Sequence, residues 1–203
     1  MPITVFIDIP EAQFEDAVTF WSAVTGCAVS RPPEDRSQLV SLVPSVGRPR
    51  VRLQAVCDEG GVHLDVDSTD RPGGAAARPV GADAVLDQVC LDIPAPLFER
   101  EVASWQALTG RTLERGRLPE FAFLGPGDDD VVRILLQRLD ETAGVVRAHV
   151  DLAVADRAAE TVRQVGLGGE VVREHTHWTV LRAPGGHEYC LTDRDPTTGN
   201  VRG

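Results

Sequence analysis

Residues 6–26 (FIDIPEAQFEDAVTFWSAVTG) and 90–110 (CLDIPAPLFEREVASWQALTG) superimpose without a gap at an offset of 84, and ten of the 21 positions are identical. A match of that density is a duplication, so whatever one copy folds into, the other must fold into as well. Each copy opens on a short apolar segment ended by a proline (Pro10, Pro94), which brings no ladder donor and restricts the residue before it. The apolar period then changes from two to 3.6. Phe14, Val18, Trp21 and Val24, like Phe98, Val102, Trp105 and Leu108, recur at i, i+4, i+7 and i+10, which is one face of a helix. Gly26 and Gly110 follow at once, where a residue free to take positive φ closes a helix.

After the second of these helices, 111–118, 120–124 and 131–139 alternate in polarity and are separated by Pro119 and by Gly125-Pro126-Gly127-Asp128, which predicts three strands. The unit is βαβββ. A weaker recurrence follows each unit: Val62-His63-Leu64-Asp65-Val66 and Ala148-His149-Val150-Asp151-Leu152. Beyond the second of these, the pattern predicts a helix over 156–166, capped by Asp156 and with Ala158, Val162 and Val165 as its apolar stripe. Strands are predicted at 170–172, 178–181 and 188–192. From His149 to Leu191 there are 43 residues, but from His63 to Asp87 only 25, interrupted by Arg71-Pro-Gly-Gly and Arg78-Pro. The shorter stretch has no room for a helix and three strands. The expected fold is α+β: tandem βαβββ modules forming curved mixed sheets around a cleft, in two pseudo-repeats with the first truncated. Residues 1–84 form an N-terminal half with a truncated second module, and 85–203 a complete C-terminal domain, the boundary falling near Ala82–Asp87.

A net charge of -11 repels phosphate backbones and anionic lipid at long range, so neither nucleic acid nor a membrane is an expected partner. All 20 basic residues are Arg, which rules out Schiff-base and P-loop lysines. The N-terminus carries no basic segment followed by an apolar run, and no stretch approaches the roughly 18 apolar residues of a membrane span, so a cytoplasmic protein is expected. Cysteines 27, 57, 90 and 190 form no C-x-x-C pair and read as buried thiols.

Paired βαβββ modules with a strand reading His149-Val-Asp-Leu-Ala-Val-Ala-Asp156 and an end reading Pro184-Gly-Gly-His-Glu-Tyr-Cys-Leu191 resemble the vicinal oxygen chelate superfamily. That group includes glyoxalase I, bleomycin-resistance proteins and extradiol dioxygenases. The resemblance implies four inward positions for a metal ion, one on the first and one on the last strand of each module, and these map to Gln88, Gln137, His149 and Cys190. Gln137 and Cys190 stand where carboxylates are expected, and the last carboxylate is the usual proton-transfer base. The N-terminal equivalents are Thr4, Gln54 and His63, with the fourth lost.

Period-2 alternation adds Cys90 and Asp92 beside Gln88, Asp151 beside His149, and Glu188 beside Cys190. The ligand-binding candidates are therefore Gln88, Asp92, Gln137, His149, Asp151, Trp178 and Cys190. His149 and Glu188 are the candidates for catalysis or for a metal. With so incomplete a ligand set no cofactor is expected, a divalent metal being the alternative. The expectation is a pocket in the C-terminal half that takes a small organic molecule, aromatic or neutral to cationic, as in antibiotic sequestration. The alternatives are a divergent metal-dependent lyase, isomerase or dioxygenase, and a non-catalytic interaction module; the chain is expected to be a monomer or homodimer. His175-x-His177 reads as a polar strand edge, and His187 as part of the turn before the last strand.

Overall fold

The computed structural model describes residues 3–32, 38–66, 84–126 and 132–202. The first repeat is strand β1 (Ile3–Pro10), a single 3₁₀ turn, helix α1 (Phe14–Thr25), and strands β2 (Ala28–Ser30), β3 (Leu39–Val43) and β4 (Val51–Val56). Strand β5 (Gly61–Val66) follows. The second repeat is β6 (Ala84–Pro94), α2 (Phe98–Thr109), β7 (Leu113–Arg115), β8 (Phe121–Leu124) and β9 (Arg133–Leu139). The last module is β10 (Arg147–Val154), α3 (Arg157–Gly166), β11 (Glu170–Glu174), β12 (Trp178–Arg182) and β13 (Glu188–Thr192).

Two mixed sheets result. The smaller has the order β2-β3-β4-β1-β5 and the larger β11-β12-β13-β10-β6-β9-β8-β7. In each module the first strand runs parallel to the last, β1 to β4, β6 to β9 and β10 to β13. Two complete modules join in the larger sheet through the antiparallel pair β6 and β10, whereas among the described residues the N-terminal module is joined, at the equivalent edge of β1, by the single strand β5. The first pseudo-repeat is thus the truncated one. Residues 67–83, which hold most of the shortened module and the first part of the expected boundary, lie outside the described residues.

Alternation decides which side chains reach the core. Val89, Leu91 and Ile93 of β6 and Val150, Leu152 and Val154 of β10 are buried on one face. Val89, Val150, Leu152 and Val154 share a core with Val5, Ile7 and Ile9 of β1 and with the Phe14, Val18, Trp21 and Val24 face of α1, so the N-terminal half covers the back of the larger sheet, while Leu91 and Ile93 pack with Phe98 and Val102 of α2. Gly26 and Gly110 close their helices at φ 65° and 64°, in the left-handed region that glycine occupies without strain. Phe98 and Val102 of α2 are buried, while Leu108 in its last turn is half exposed.

Helix α3 departs from its sequence pattern. Asp156 caps it, accepting from the Ala159 amide at 3.0 Å, but Ala158, Val162 and Val165 face solvent, and Glu160 and Gln164 are buried instead. The cause is the group beneath. Tyr189 of β13 packs edge-on against Trp21 (5.1 Å) and Phe20 (6.1 Å), and its buried hydroxyl needs an acceptor. Gln164 Oε1 accepts that hydroxyl at 2.7 Å, Gln164 Nε2 donates to Glu160 at 2.7 Å, and Arg163 binds Glu160. Arg163 also donates to the carbonyls of Ala23 and Val24, which the last turn of α1 leaves without amide partners. A polar strip, not an apolar one, fastens α3 to the protein.

The turn between β12 and β13 wedges into the N-terminal half. A Cβ on Gly185 would lie 3.1 Å from Ile9, and one on Gly60 would lie 2.1 Å from the Asp8 carbonyl oxygen and 2.6 Å from the His187 ring. Gly60 has no room to grow because one of its neighbours is backbone. Gly60→Ala is expected to destabilise the protein by roughly 1–3 kcal/mol through overpacking. Gly61→Ala, with nothing within 4 Å of its Cβ, should stay within about 0.5 kcal/mol. Urea denaturation of the two variants checks the difference, and equal midpoints would show that the halves are not docked as described.

Candidate functional site

The face of the larger sheet opposite the core forms a cleft. Its floor comes from alternate residues of four adjacent strands: Gln88 of β6, Gln137 of β9, His149 and Asp151 of β10, and Cys190 of β13, with Cys90 of β6 fully buried beside His149. Its walls are Phe121 and Phe123 of β8, Leu135 of β9 and Trp178 of β12, and it encloses about 550 Å³. Strand register places the polar floor. Cys90 lies opposite His149 and Gln88 opposite Asp151 across the antiparallel pair, while Asp92 lies beside Gln137 and Asp151 beside Cys190 across the parallel ones.

His149 is the centre. Its Nδ1 is 2.8 Å from Asp92 and its Nε2 is 3.3 Å from Asp151. Gln88 Nε2 donates to the other Asp151 oxygen at 2.6 Å, and Gln88 Oε1 accepts from the Arg133 guanidinium. Gln88 therefore spends both ends of its amide within the protein. Its oxygen is committed to Arg133, not offered to the cleft as the family position would require. Gln137 Oε1 accepts from the Cys90 thiol at 3.5 Å.

A bulge completes the floor. Between Asp151 and Leu152 the pairing steps from Gln88 to Leu86, leaving Asp87 as an extra residue on β6. Bulges re-aim side chains in this way. Asp87, fully buried, binds Arg194 Nε and lies 3.9 Å from Arg133 Nη2. One polar chain then runs Arg194, Asp87, Arg133, Gln88, Asp151, His149, Asp92.

The expected residues are unequally placed. Gln88, Gln137, His149, Asp151, Trp178 and Cys190 all line the cleft, and Asp92 holds His149 beside it. Glu188 is corrected. It sits exposed at the start of β13 opposite Arg182, which binds it at 2.9 Å, and it does not reach the cleft. Its charge is met by a cross-strand pair in water. His175 and His177 do not converge, the first stacking on Trp178 at 4.4 Å and the second pointing to solvent beside Asp193. In the N-terminal half, Asp8 and His63 pair at 2.8 Å, but among the described residues they belong to no group of three His, Cys, Asp or Glu ligands. Alternation along β9 put Arg133 on the face of Gln137 and was a usable signal. Asp87 escaped because a bulge breaks the alternation, and Arg194 because it follows the last strand.

Burial by itself would push the His149 imidazole down. The Cys90 sulfur and the Asp151 and Asp92 carboxylates raise it, and together they hold it well above the ordinary histidine value. Burial pushes the thiols of Cys90 and Cys190 up to about 12, so neither is a nucleophile near neutral pH. Two overlapping sets, Cys90 with Asp92 and His149, and His149 with Asp151 and Cys190, keep their ligand atoms within 4.8 Å of one another. A protonated His149 aims one N–H at each carboxylate, Nδ1 at Asp92 and Nε2 at Asp151. Because the folded imidazole keeps its proton to higher pH than the unfolded one, the cluster stabilises fully below the unfolded value of about 6.5 and loses that contribution as pH rises through the folded value. Asp92→Asn is expected to lower the His149 midpoint, followed by NMR of the imidazole Cε1–H. An unchanged midpoint would show that Asp92 does not hold the charge.

The family model described as glyoxalase-like domain matches the chain twice, over residues 4–87 and 88–192. No curated protein matches it. Among solved structures, the fold is similar to the Mn(II)-bound glyoxalase from Novosphingobium aromaticivorans, at 14% identity and a TM-score of 0.60 over 93% of this chain and 80% of that one. It is also similar to homoprotocatechuate 2,3-dioxygenase from Arthrobacter globiformis (11%, TM-score 0.57, 93% and 78%). The 2,2',3-trihydroxybiphenyl 1,2-dioxygenase from Sphingomonas wittichii is a third (12%, TM-score 0.54, 93% and 88%). At these identities the structures speak for the fold alone, and no helix among the described residues is long and apolar enough to cross a membrane. With both halves matched by one family and the βαβββ modules paired around a cleft, the chain belongs to the glyoxalase-like domain family of the vicinal oxygen chelate superfamily.

Proposed function

We propose that the C-terminal half, residues 85–203, binds a small organic molecule in its cleft. The observation that carries this reading is the cleft itself: about 550 Å³, walled by aromatic and aliphatic side chains over a few convergent polar groups. Ligand sites typically occupy roughly 300–1,000 Å³ and have that composition. Holding the molecule without turning it over, as in drug sequestration, is the simplest form of such a function. The neutral fluorophore N-phenyl-1-naphthylamine tests it. Leu135 lines the cavity from β9, and Leu135→Trp is expected to weaken dye binding about tenfold while leaving the melting curve near wild type, a loss of about 1.4 kcal/mol. Equal binding by the variant would remove the cleft as the site.

A second reading, a metal-dependent lyase, isomerase or dioxygenase, is favoured by the two ligand sets that share His149. The residues fit a divalent ion. Asp151 Oδ1 is buried and accepts no hydrogen bond, holding only the ion-pair contact with His149 Nε2 at 3.3 Å, and imidazole, carboxylate and thiolate together suit zinc, cobalt or nickel better than magnesium or calcium. His149 and Asp151 would hold the ion with Cys190, or His149 and Asp92 with Cys90, while Gln88, fixed by Arg133, orients Asp151. Bound there, an ion would polarise an oxygen of the organic ligand. His149 and the participating thiol must first release their protons, so metal affinity should rise with pH. Cobalt(II) titration is expected to give visible ligand-field bands, a near-ultraviolet thiolate-to-cobalt transition and proton release, all lost in His149→Ala. Absence of these signals, with unchanged melting in cobalt, zinc and manganese, would leave only the binding reading.

A further inference from the structure

Resting on the small-molecule reading, we propose that the ligand is an organic anion with a flat apolar body, its carboxylate or phosphate oxygens meeting Arg194, backed by Arg133, at the Gln88 end of the cleft. Both arginines line the cavity. Asp87, brought there by the β6 bulge and wholly buried, anchors them by accepting from Arg194 Nε and lying 3.9 Å from Arg133. Arg194 gives Nε to Asp87 and Nη2 to the Gly199 carbonyl, which leaves its Nη1 donors uncommitted. The Arg133 guanidinium lies over the Phe123 ring at 5.1 Å, an arrangement that orients a weakly hydrated cation beside an apolar wall. The Arg194 Nη1 hydrogens can donate to a carboxylate or phosphate oxygen, and a mostly buried position strengthens such charge-assisted hydrogen bonds.

The acids of the lining do not cancel this. Asp193 is taken by Arg157 at 2.7 Å, and Asp151 by Gln88 and His149. Glu114 is exposed, where solvent screens its charge. The charge of -11 on the whole chain favours neutral or cationic molecules only at long range. In physiological salt, interactions between exposed charges fade over about 8 Å, so the groups that line the cleft decide the sign of its ligand. Phe121, Phe123 and Leu135 on one wall and Trp178 on the other provide for the flat body.

Displacement of N-phenyl-1-naphthylamine by four matched naphthalenes tests the class: 2-naphthoate, 2-naphthyl phosphate, 2-naphthylmethanol and 2-naphthylmethylammonium. At least one anion is expected to compete about tenfold better than both the alcohol and the ammonium, the scale of one charge-assisted hydrogen-bonded contact. Arg194→Gln should bring that anion to within about threefold of the alcohol while the dye still binds. If the variant does not fold because Asp87 is left unpaired, Asp87→Asn combined with Arg194→Gln removes both charges and is read in its place. The proposal is overturned if the alcohol or the ammonium competes as well as both anions, or if the preference survives loss of Arg194. Failure of the dye to bind the wild-type cleft would instead overturn the small-molecule reading beneath it.

Discussion

The antiparallel pairing of β6 with β10 is the constraint on which the rest of this protein turns. It joins two βαβββ modules into one sheet, and its register alone brings Gln88, Cys90 and Asp92 against His149 and Asp151. A slip of β10 by one residue would turn His149 and Asp151 into the core and expose Val150 and Leu152. The buried apolar residues that fix the register are the alternates of the residues that make the site. Stability and site geometry are thereby set by the same strand pair.

That pairing also creates a difficulty, since it places two carboxylates, an imidazole and a thiol in one largely buried cluster. Such groups are tolerated inside a protein only when paired and hydrogen-bonded. Here the solution is serial. Gln88 passes a hydrogen bond from Arg133 to Asp151, Asp151 and Asp92 share the charge of His149, and Asp87 draws Arg194 and Arg133 to the other end. Each link fixes the orientation of the next, so the polar floor is rigid before any ligand arrives. Preorganisation of that kind lowers what binding must spend on ordering side chains.

The strands, helices and duplication were legible because each rests on a local period. Proline stops β1 and β6, and glycine closes α1 and α2, by rules that need no tertiary information. Of the cleft residues, Gln88, Gln137, His149 and Cys190 came from the resemblance to the family, and alternation added Asp151. What escaped reading depends on contacts across the chain. The bulge at Asp87 breaks the period of two, Arg194 lies beyond the last strand, and Glu188 has the right parity but sits at an end where Arg182 meets it first. Helix α3 is the clearest case: its apolar stripe suggested a buried face, yet the Tyr189 hydroxyl and the terminal carbonyls of α1 demanded polar partners and turned Glu160 and Gln164 inward.

The duplication itself shows what turns residues into a site. Asp8, His63 and Asp65 repeat the order of Asp92, His149 and Asp151, and the first pair of each set meets at 2.8 Å in both halves. The difference lies in the surroundings. Strand β10 has β13 on its far side, which adds Cys190 and shields the floor, whereas β5 ends its sheet. The side chain of His63 is 49% exposed and that of His149 18%. In water an exposed ion pair contributes little, because solvent screens it and competes for its hydrogen bonds. Behind β13 the same pair is backed by a second carboxylate 3.3 Å away and holds its proton well above the ordinary histidine range. The Asp–His pair is the same in both copies, and the strand beside it decides whether it lies in water or in a largely buried cluster.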